Sequence, residues 1–271
     1  MRASRLTRHV SAIHLNTTSI SVSELSSLCE IIKWSKSLRT LDVRASNIQY
    51  AGVAAITEAI KQSKSLITKL DISSNHIGDV GASSIAEIIK QSKCLVTVDL
   101  GFNDIGAVGA VALAEAIKQS NSLGAVYLIC NRIGHVGACA IADAIKQSNS
   151  LKTVDLNCGE IGDVGVCAIA EAIKQSQTLT ELDLQNNYID DGGACAIAEA
   201  IKQNKSLVAL NLRNNLFGVV GAEAIADAIE QNKSLATMNL CDNEIGSVGA
   251  LAIAEASKQN KYVDVDFDLY S

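Results

Sequence analysis

Residues 70–97 read LDISSNHIGDVGASSIAEIIKQSKCLVT, and the period of this stretch changes partway along. Leu66, Leu70 and Ile72, like Leu179, Leu182 and Leu184, alternate in the manner of a short strand with one buried face. Asn75 follows, then a glycine pair, Gly78 and Gly81, and then GASSIAEIIKQS, which has the composition of a helix. In later copies Ala194, Ile197, Ala200 and Ile201 fall at spacings of 3 and 4, a narrow apolar stripe of small and branched residues.

The unit recurs along nearly the whole chain. Its opening aliphatic is Ile13, Leu41, Leu70, Val98, Val126, Val154, Leu182, Leu210 and Met238, at spacings of 28, 29 and then 28 throughout. Val265 follows after 27 and begins a truncated tenth strand. The one extra residue falls between Leu66 and Leu70, in a connection, where an insertion is tolerated. Asparagines recur at Asn75, Asn103, Asn131, Asn187, Asn215 and Asn243. An inward asparagine at a bend pairs backbone groups that would otherwise be buried unsatisfied, so these residues are expected to stack as a ladder. The ladder is missing at Thr18 and Ser46 and broken by Gly159. Of each glycine pair, the first serves the turn and the second permits close packing of helix on strand. Asp79, Asp163 and Asp191 stand where a helix N-cap is wanted. Lys118, Lys146, Lys174 and Lys202 suit the helix end and pair with Glu115, Asp143, Glu171 and Glu199 on an outer, solvated face.

A strand–turn–helix unit of this length coils to the right. Strands stack about 4.8 Å apart and helices about 10 Å apart, which bends the stack into an arc with strands inside. The expectation is an α/β right-handed solenoid, a horseshoe with parallel strands on the concave face and helices on the convex face. One domain spans 1–271: a capping repeat at 1–40, regular repeats at 41–257, and a truncated repeat with an acidic tail at 258–271. Trp34, the sole tryptophan, is expected to cover the first layer; Tyr262, Phe267 and Tyr270 mark the tail.

The pattern LxxLxLxxNxIGxxGxxxIAxAI resembles the ribonuclease-inhibitor type of leucine-rich repeat over roughly residues 10–268. Similar repeats occur in NOD-like receptors, Ran GTPase-activating proteins and effectors of intracellular bacteria. The resemblance implies a scaffold for binding other proteins, and function has to be sought in particular residues. With no nucleotide-binding domain before the repeats, a complete NOD-like receptor is not expected.

Composition narrows the classes further. Apolar residues make up 48% and aromatics 3%, so the core is aliphatic; there is no proline and so no proline-rich linker. A net charge of −6 argues against nucleic acid or anionic membrane and favours a basic partner. No apolar run reaches the roughly 18 residues of a membrane helix. Met1–His9 carries Arg2, Arg5 and Arg8, with no apolar segment of a secretory signal behind them. Of eight cysteines, Cys139, Cys167 and Cys195 recur every 28 residues. On a helical layer they would lie about 8–10 Å apart, beyond the roughly 7 Å limit for a disulfide. Free thiols in a reducing, cytoplasmic compartment are expected, in the host cytosol if the chain is a bacterial effector. No cofactor or metal site is expected: no Cys-x-x-Cys occurs, and His76 and His135 lie two repeats apart.

Partner contacts are assigned to side chains between the buried strand residues. One column reads His14, Asp42, Asp71, Asp99, Tyr127, Asp155, Asp183, Asn211, Asn239 and Asp266, a negative field suited to a basic protein. Such an Asp is also simply soluble and edge-tolerant. The interruption is more specific: Tyr127 and Ile129, with Phe102 one repeat earlier, Gly101 leaving room and Cys130 alongside, form a candidate hot spot ringed by Asp99 and Asp155. Arg44 and Arg213 share the Ile129 column as charged anchors, and the loop edge adds His76, Arg132, His135, Glu160 and Tyr188. No nucleophile–base pair is distinguished. The leading reading is a monomeric, non-catalytic module whose concave face and strand-to-helix loops grip a protein, in one version an enzyme with a basic surface that it covers and inhibits. The alternatives are a GTPase-activating protein, in which an edge residue such as Arg132 acts, and a repeat fragment of a larger innate-immune-type receptor.

Overall fold

The structure, a computed structural model, describes residues 10–15, 19–64 and 66–268. Met1–His9, Thr18 and Tyr270, singled out above, lie outside them. Ten three-residue strands are present: β1 (Ala12–His14), β2 (Thr40–Asp42), β3 (Lys69–Asp71), β4 (Thr97–Asp99), β5 (Ala125–Tyr127), β6 (Thr153–Asp155), β7 (Glu181–Asp183), β8 (Ala209–Asn211), β9 (Thr237–Asn239) and β10 (Asp264–Asp266). Between them run α1 (Val22–Trp34), α2 (Gln49–Gln62), α3 (Gly78–Gln91), α4 (Ala107–Gln119), α5 (Gly134–Gln147), α6 (Gly162–Gln175), α7 (Asp191–Gln203), α8 (Val219–Gln231) and α9 (Gly246–Gln259). The strands pair in chain order, all parallel, in one open sheet. This is the α/β solenoid, with one open parallel sheet and a helix after each strand but the last, that the alternation of periods dictates.

Register follows the opening aliphatics: Leu41 pairs with Leu70, and Leu70 with Val98. The extra residue is absorbed before β3, but one step earlier than the sequence reading places it. Ile67, not Leu66, is buried beneath the strand, and Leu66 is exposed. Between strand and helix layers lies a continuous aliphatic core in which Ile85, Leu113, Ile141, Ile169, Ile197 and Ile225 are fully buried. Each such side chain contributes about 1.5–3 kcal/mol. Helix alanines such as Ala194, Ala198 and Ala200 are buried beside them.

The asparagine ladder forms. Asn75 N–H donates to Asn103 Oδ1 (2.9 Å), and Asn103 N–H to Asn131 Oδ1 (3.2 Å). Beyond the gap, Asn187 N–H donates to Asn215 Oδ1 (2.9 Å) and Asn215 N–H to Asn243 Oδ1 (3.1 Å). At Gly159 the backbone N–H still donates to Asn187 Oδ1 (3.0 Å), but glycine has no carboxamide to offer Asn131. Ser46 replaces the amide with a hydroxyl donating to the Leu15 carbonyl (2.7 Å).

A second buried polar ladder, which the sequence reading misses, closes the other end of each unit. The residue after the helix-ending glutamine is Ser63, Ser92, Ser120, Ser148, Ser176, Asn204, Asn232 or Asn260, and the last six of these are buried. The buried serine hydroxyls accept from the amide three residues on, as Ser148 does from Leu151 N (3.1 Å). The asparagines also reach back one repeat: Asn232 Nδ2 donates to the Ile201 and Asn204 carbonyls (2.8 and 3.1 Å). These are the free carbonyls that any helix end leaves. The signal was a Ser or Asn recurring at one fixed position.

Helix starts show a rule that runs between repeats. Asp79, Asp163 and Asp191 do not cap their own helices; each lies within or beside the first turn and caps the next one. Asp79 Oδ1 accepts from Gly106 and Gly109 N–H (2.7 and 2.9 Å), and Asp191 Oδ1 from Gly218 and Gly221 N–H (2.8 Å each). Asp163 accepts from Asp190 N–H (3.0 Å). The helices so capped, α4, α7 and α8, begin from a residue of negative φ outside the helical region, Gly106, Asp190 and Gly218. α2, α3, α5, α6 and α9 follow a repeat with no Asp at that position and begin instead at a residue of positive φ, such as Gly78 or Gly162. Asp191→Ala is expected to cost about 1–2 kcal/mol and to speed amide exchange at Gly218 and Gly221, measurable by NMR; unchanged exchange there would refute the cross-repeat cap.

The first helix is capped locally by a Ser21–Glu24 capping box. Trp34 does not cover the first layer. It is 61% exposed, its indole N–H donating to Glu30 (3.1 Å), while Leu28, Cys29 and Ile32 carry the buried face of α1. At the other end Val263 is buried and Phe267 packs against the core, whereas Tyr262 is exposed. Among the described residues no helix is long and apolar enough to cross a membrane.

Candidate interaction site

On each strand the middle residue faces the core and its two neighbours face the concave side, so two columns line the arc. The second column is the carboxylate column, and it does not behave as a uniform negative strip. Asp42 and Asp71 are only 2% exposed, and the Arg44 guanidinium bridges them (2.7 Å to Asp42, 3.2 Å to Asp71). Hydrogen bonding to Arg44 holds the Asp42 carboxyl down to about 2. Arg44, read as an anchor, is therefore spent within the chain. Arg213 likewise pairs with Asp242 (2.6 Å).

Most members of the column also serve the backbone. Asp99, Asp155 and Asp183 accept from the amide two residues on, at Gly101, Asn157 and Gln185 (3.0, 3.0 and 2.9 Å). Asn211 and Asn239 do the same for Arg213 and Cys241 (3.0 Å each). This local bond explains why only Asp or Asn recurs from β6 to β9. Burial exacts an electrostatic cost: it pushes Asp99 up and Asp155 up to about 6, with Asp183 and Asp99 adding repulsion at Asp155.

The sign of the linkage follows. A folded-state value above the ordinary 3.8 means the fold binds the Asp155 proton more tightly than the unfolded chain does, so stability falls as pH rises from about 4 to about 6. Asn, which already serves this position in β8 and β9, avoids the penalty. Asp155→Asn is expected to raise the melting temperature by about 2–4 °C at pH 7.5 and to lose the advantage by pH 4. A pH-independent difference would contradict the assignment.

The acidic character concentrates in the second half of the arc. A groove of about 380 Å³ runs along the concave side from Tyr127 to Asp266, with Asp155, Glu181, Asp183 and Asn239 among its lining residues and no Lys or Arg. Glu181 belongs to the first column, the residue before the opening aliphatic, which the sequence reading overlooked; the strand alternation alone would have exposed it. Asp266 is exposed at the end of the arc.

The proposed hot spot divides in two. Phe102 N–H donates to the Ile129 carbonyl (2.7 Å), and Ile129 Cβ lies 3.5 Å from where a Gly101 Cβ would be, so these two are neighbours beside the room that glycine leaves. Tyr127 lies two residues earlier, opposite Asp99 and Asp155 in the sheet, and of the three it alone lines the groove. Burial, then the carboxylates of Glu181 and Asp155, push its phenol up. Phe102 (53% exposed) and Tyr188 (63% exposed) stand on the strand-to-helix edge, both with positive φ. Arg132 is on the same edge, its side chain 74% exposed and 3.9 Å from Asp104. His76 pairs with Asp104 (2.9 Å).

A Leucine Rich repeat family model matches residues 63–86, 91–114, 147–170, 175–198, 203–226 and 231–254, together just over half of the chain. No curated protein matches it in sequence. Solved structures similar to it include Leiomodin-1 Actin-Binding Site 2 (ABS2), 21% identical, covering 57% of this chain and 89% of that one with a TM-score of 0.49. That likeness is too slight to bear on what the present groove binds.

Proposed function

The chain belongs to the leucine-rich repeat family, and from that premise we propose that it is a non-catalytic protein-binding module that takes a basic segment of its partner into the concave groove between β5 and β10. One observation carries the reading: Asp155, Glu181, Asp183 and Asp266 line a single groove in which no Lys or Arg neutralises them. Tyr127 at its head offers an aromatic face to a Lys or Arg of the partner, worth about 0.5–2 kcal/mol. The carboxylates steer and select more than they bind, since salt screens them over about 8–10 Å. Phe102, Ile129 and Tyr188 on the loop edge are secondary apolar contacts, and Arg132 a polar one. The repeat is of the ribonuclease-inhibitor type in this reading, and the partner in its sharpest form is an enzyme whose basic active-site rim the arc covers, as a bacterial effector or its regulator would do.

A fluorescent Arg-rich peptide and a Glu-rich peptide of the same length test the groove by polarisation. The Arg-rich peptide is expected to bind with an affinity that falls with salt, and Glu181→Lys/Asp183→Lys to weaken it at least tenfold. Equal binding of both peptides, or an unaffected double variant, would overturn the proposal. Crosslinking mass spectrometry with wild type and with Tyr127→Ala/Ile129→Asp then decides whether the apolar anchors take part. The exposure of Arg132 supports a second reading, activation of a small GTPase: hydrolysis of GTP accelerated by the chain and lost in Arg132→Ala would favour it, and a flat rate across GTPases would remove it.

A further inference from the structure

Cys130 and Cys158 hold the same position in successive repeats, immediately before Asn131 and Gly159. Both have positive φ (49° and 54°) and both are partly buried. Cys130 N–H donates to the Asn157 carbonyl (2.7 Å), so the two backbones stand at strand spacing there. That spacing, about 4.8 Å, is inside the roughly 4.4–6.8 Å between α-carbons that a disulfide spans. Farther along the same column Asn214 Nδ2 donates directly to Asn186 Oδ1, so neighbouring side chains at this position meet. The Cys158 sulfur is near enough to Cys130 to bear on the charge of its thiol. The 28-residue spacing of Cys139, Cys167 and Cys195 is the same, but those lie on helices α5, α6 and α7, a helix diameter apart. Identical spacing in sequence therefore means strand spacing on the strand side and a helix diameter on the helix side.

The pair also spans the one regular junction that lacks an asparagine rung. Between β5 and β6 the ladder passes from Asn131 to Gly159, which has no side chain to accept the Asn131 N–H. We propose that Cys130 and Cys158 are a site of reversible covalent modification, closing to a disulfide that staples this junction when a small disulfide such as oxidised glutathione is supplied. One cysteine, as thiolate, attacks the glutathione disulfide and releases one glutathione; the second attacks the mixed disulfide at the protein sulfur and releases the other. Two protein thiols are oxidised, one glutathione disulfide is reduced to two glutathione thiols, and the two protons pass to them. Burial, and then the neighbouring Cys158 sulfur, push the Cys130 thiol up to about 11, so it is protonated at neutral pH. Closure should accordingly run faster as pH is raised.

The inference is independent of what the groove binds. The full chain is incubated with oxidised glutathione at pH 8.5, free thiols are blocked with N-ethylmaleimide, and unreduced tryptic peptides are analysed by mass spectrometry. The expected product is a crosslink between the peptide ending at Arg132 and the one containing Cys158, in most molecules and absent from Cys130→Ser. Fragmentation assigns the bond to Cys158 rather than Cys167. Amide exchange around Asn131 and Gly159 should slow several-fold on oxidation and recover with dithiothreitol. Recovery of Cys130 and Cys158 as separate glutathione or maleimide adducts, from protein whose melting is unchanged, would overturn the proposal.

Discussion

Asn131→Ala should destabilise the chain by about 3–5 kcal/mol, the upper range for a single substitution. The Asn131 amide is buried and saturated. Its Oδ1 accepts from Asn103 and Ile105 N–H (3.2 and 2.9 Å), and its Nδ2 donates to the Leu100, Leu128 and Ile129 carbonyls (3.0, 2.9 and 3.3 Å). Truncation leaves five backbone groups without this partner, and an unsatisfied buried group costs about 1–3 kcal/mol. Water entering the space left by the amide recovers some of that, which brings the net loss down to the stated range. The location adds a second effect. A solenoid holds together through nearest-neighbour interfaces, and the next rung is already absent at Gly159. Asn131→Ala thus leaves two successive rungs missing, and urea unfolding followed by circular dichroism should separate into two transitions. Asn215→Ala, flanked by the intact rungs Asn187 and Asn243, should weaken the chain in one transition. A single, unshifted transition for Asn131→Ala would contradict the ladder argument.

The contrast shows which features a sequence of this kind reveals. Whatever recurs within a unit is legible: the strand from Leu70 and Ile72, the helix from the 3 and 4 spacing, the asparagine from its repeat. The i to i+3 ion pairs on the helices are legible in the same way, and Lys146 meets Asp143 at 2.8 Å. What passes from one unit to the next depends on how far each turn is staggered against its neighbour, and no single unit records that. Asp191 looks like a cap for its own helix, yet the stagger delivers its carboxylate to Gly218 and Gly221. The sequence reading put Leu66 in one buried slot, but with the added residue falling before it the neighbouring, equally apolar Ile67 fills that slot. The concave face fails for a related reason. A column of carboxylates reads as charge, but Asp42 and Asp71 share the guanidinium of Arg44, from the column two residues on, and burial pushes the Asp155 carboxyl up. Only from β6 onward, where no Lys or Arg lines the groove, does composition translate into field.

Gly165→Val should be among the most damaging substitutions in the chain, and Gly192→Ala, a change of the same residue type one repeat on, should be mildly favourable. A Cβ at Gly165 would stand 2.4 Å from Ile161 Cγ2, 2.9 Å from Ala138 Cβ and 3.3 Å from the His135 Cα. Two of these are fixed parts of the preceding helix α5 and cannot swing away, so the helices must part. At Gly109, Gly137, Gly165, Gly193, Gly221 and Gly249 the second glycine therefore bears on the distance to the preceding helix, whereas at Gly81 the nearest atoms are all those of Ile77 in its own repeat. Even Gly165→Ala, which gains about 1 kcal/mol of helix propensity, should lose about 1–3 kcal/mol to overpacking; the two further methyl groups of Val deepen the loss. At Gly192 the nearest obstacle is Asp190 Oδ1 at 3.1 Å, the end of a side chain, and the added methyl group mainly restricts the unfolded chain, a gain of about 0.4–1 kcal/mol. Thermal melts of the three variants decide the matter, since opposite signs at 165 and 192 follow only if helix spacing, not helix propensity, is what the recurring glycine protects. Equal shifts at both positions would mean that α6 can move off α5 freely, and the spacing of the helix layer would then need another cause.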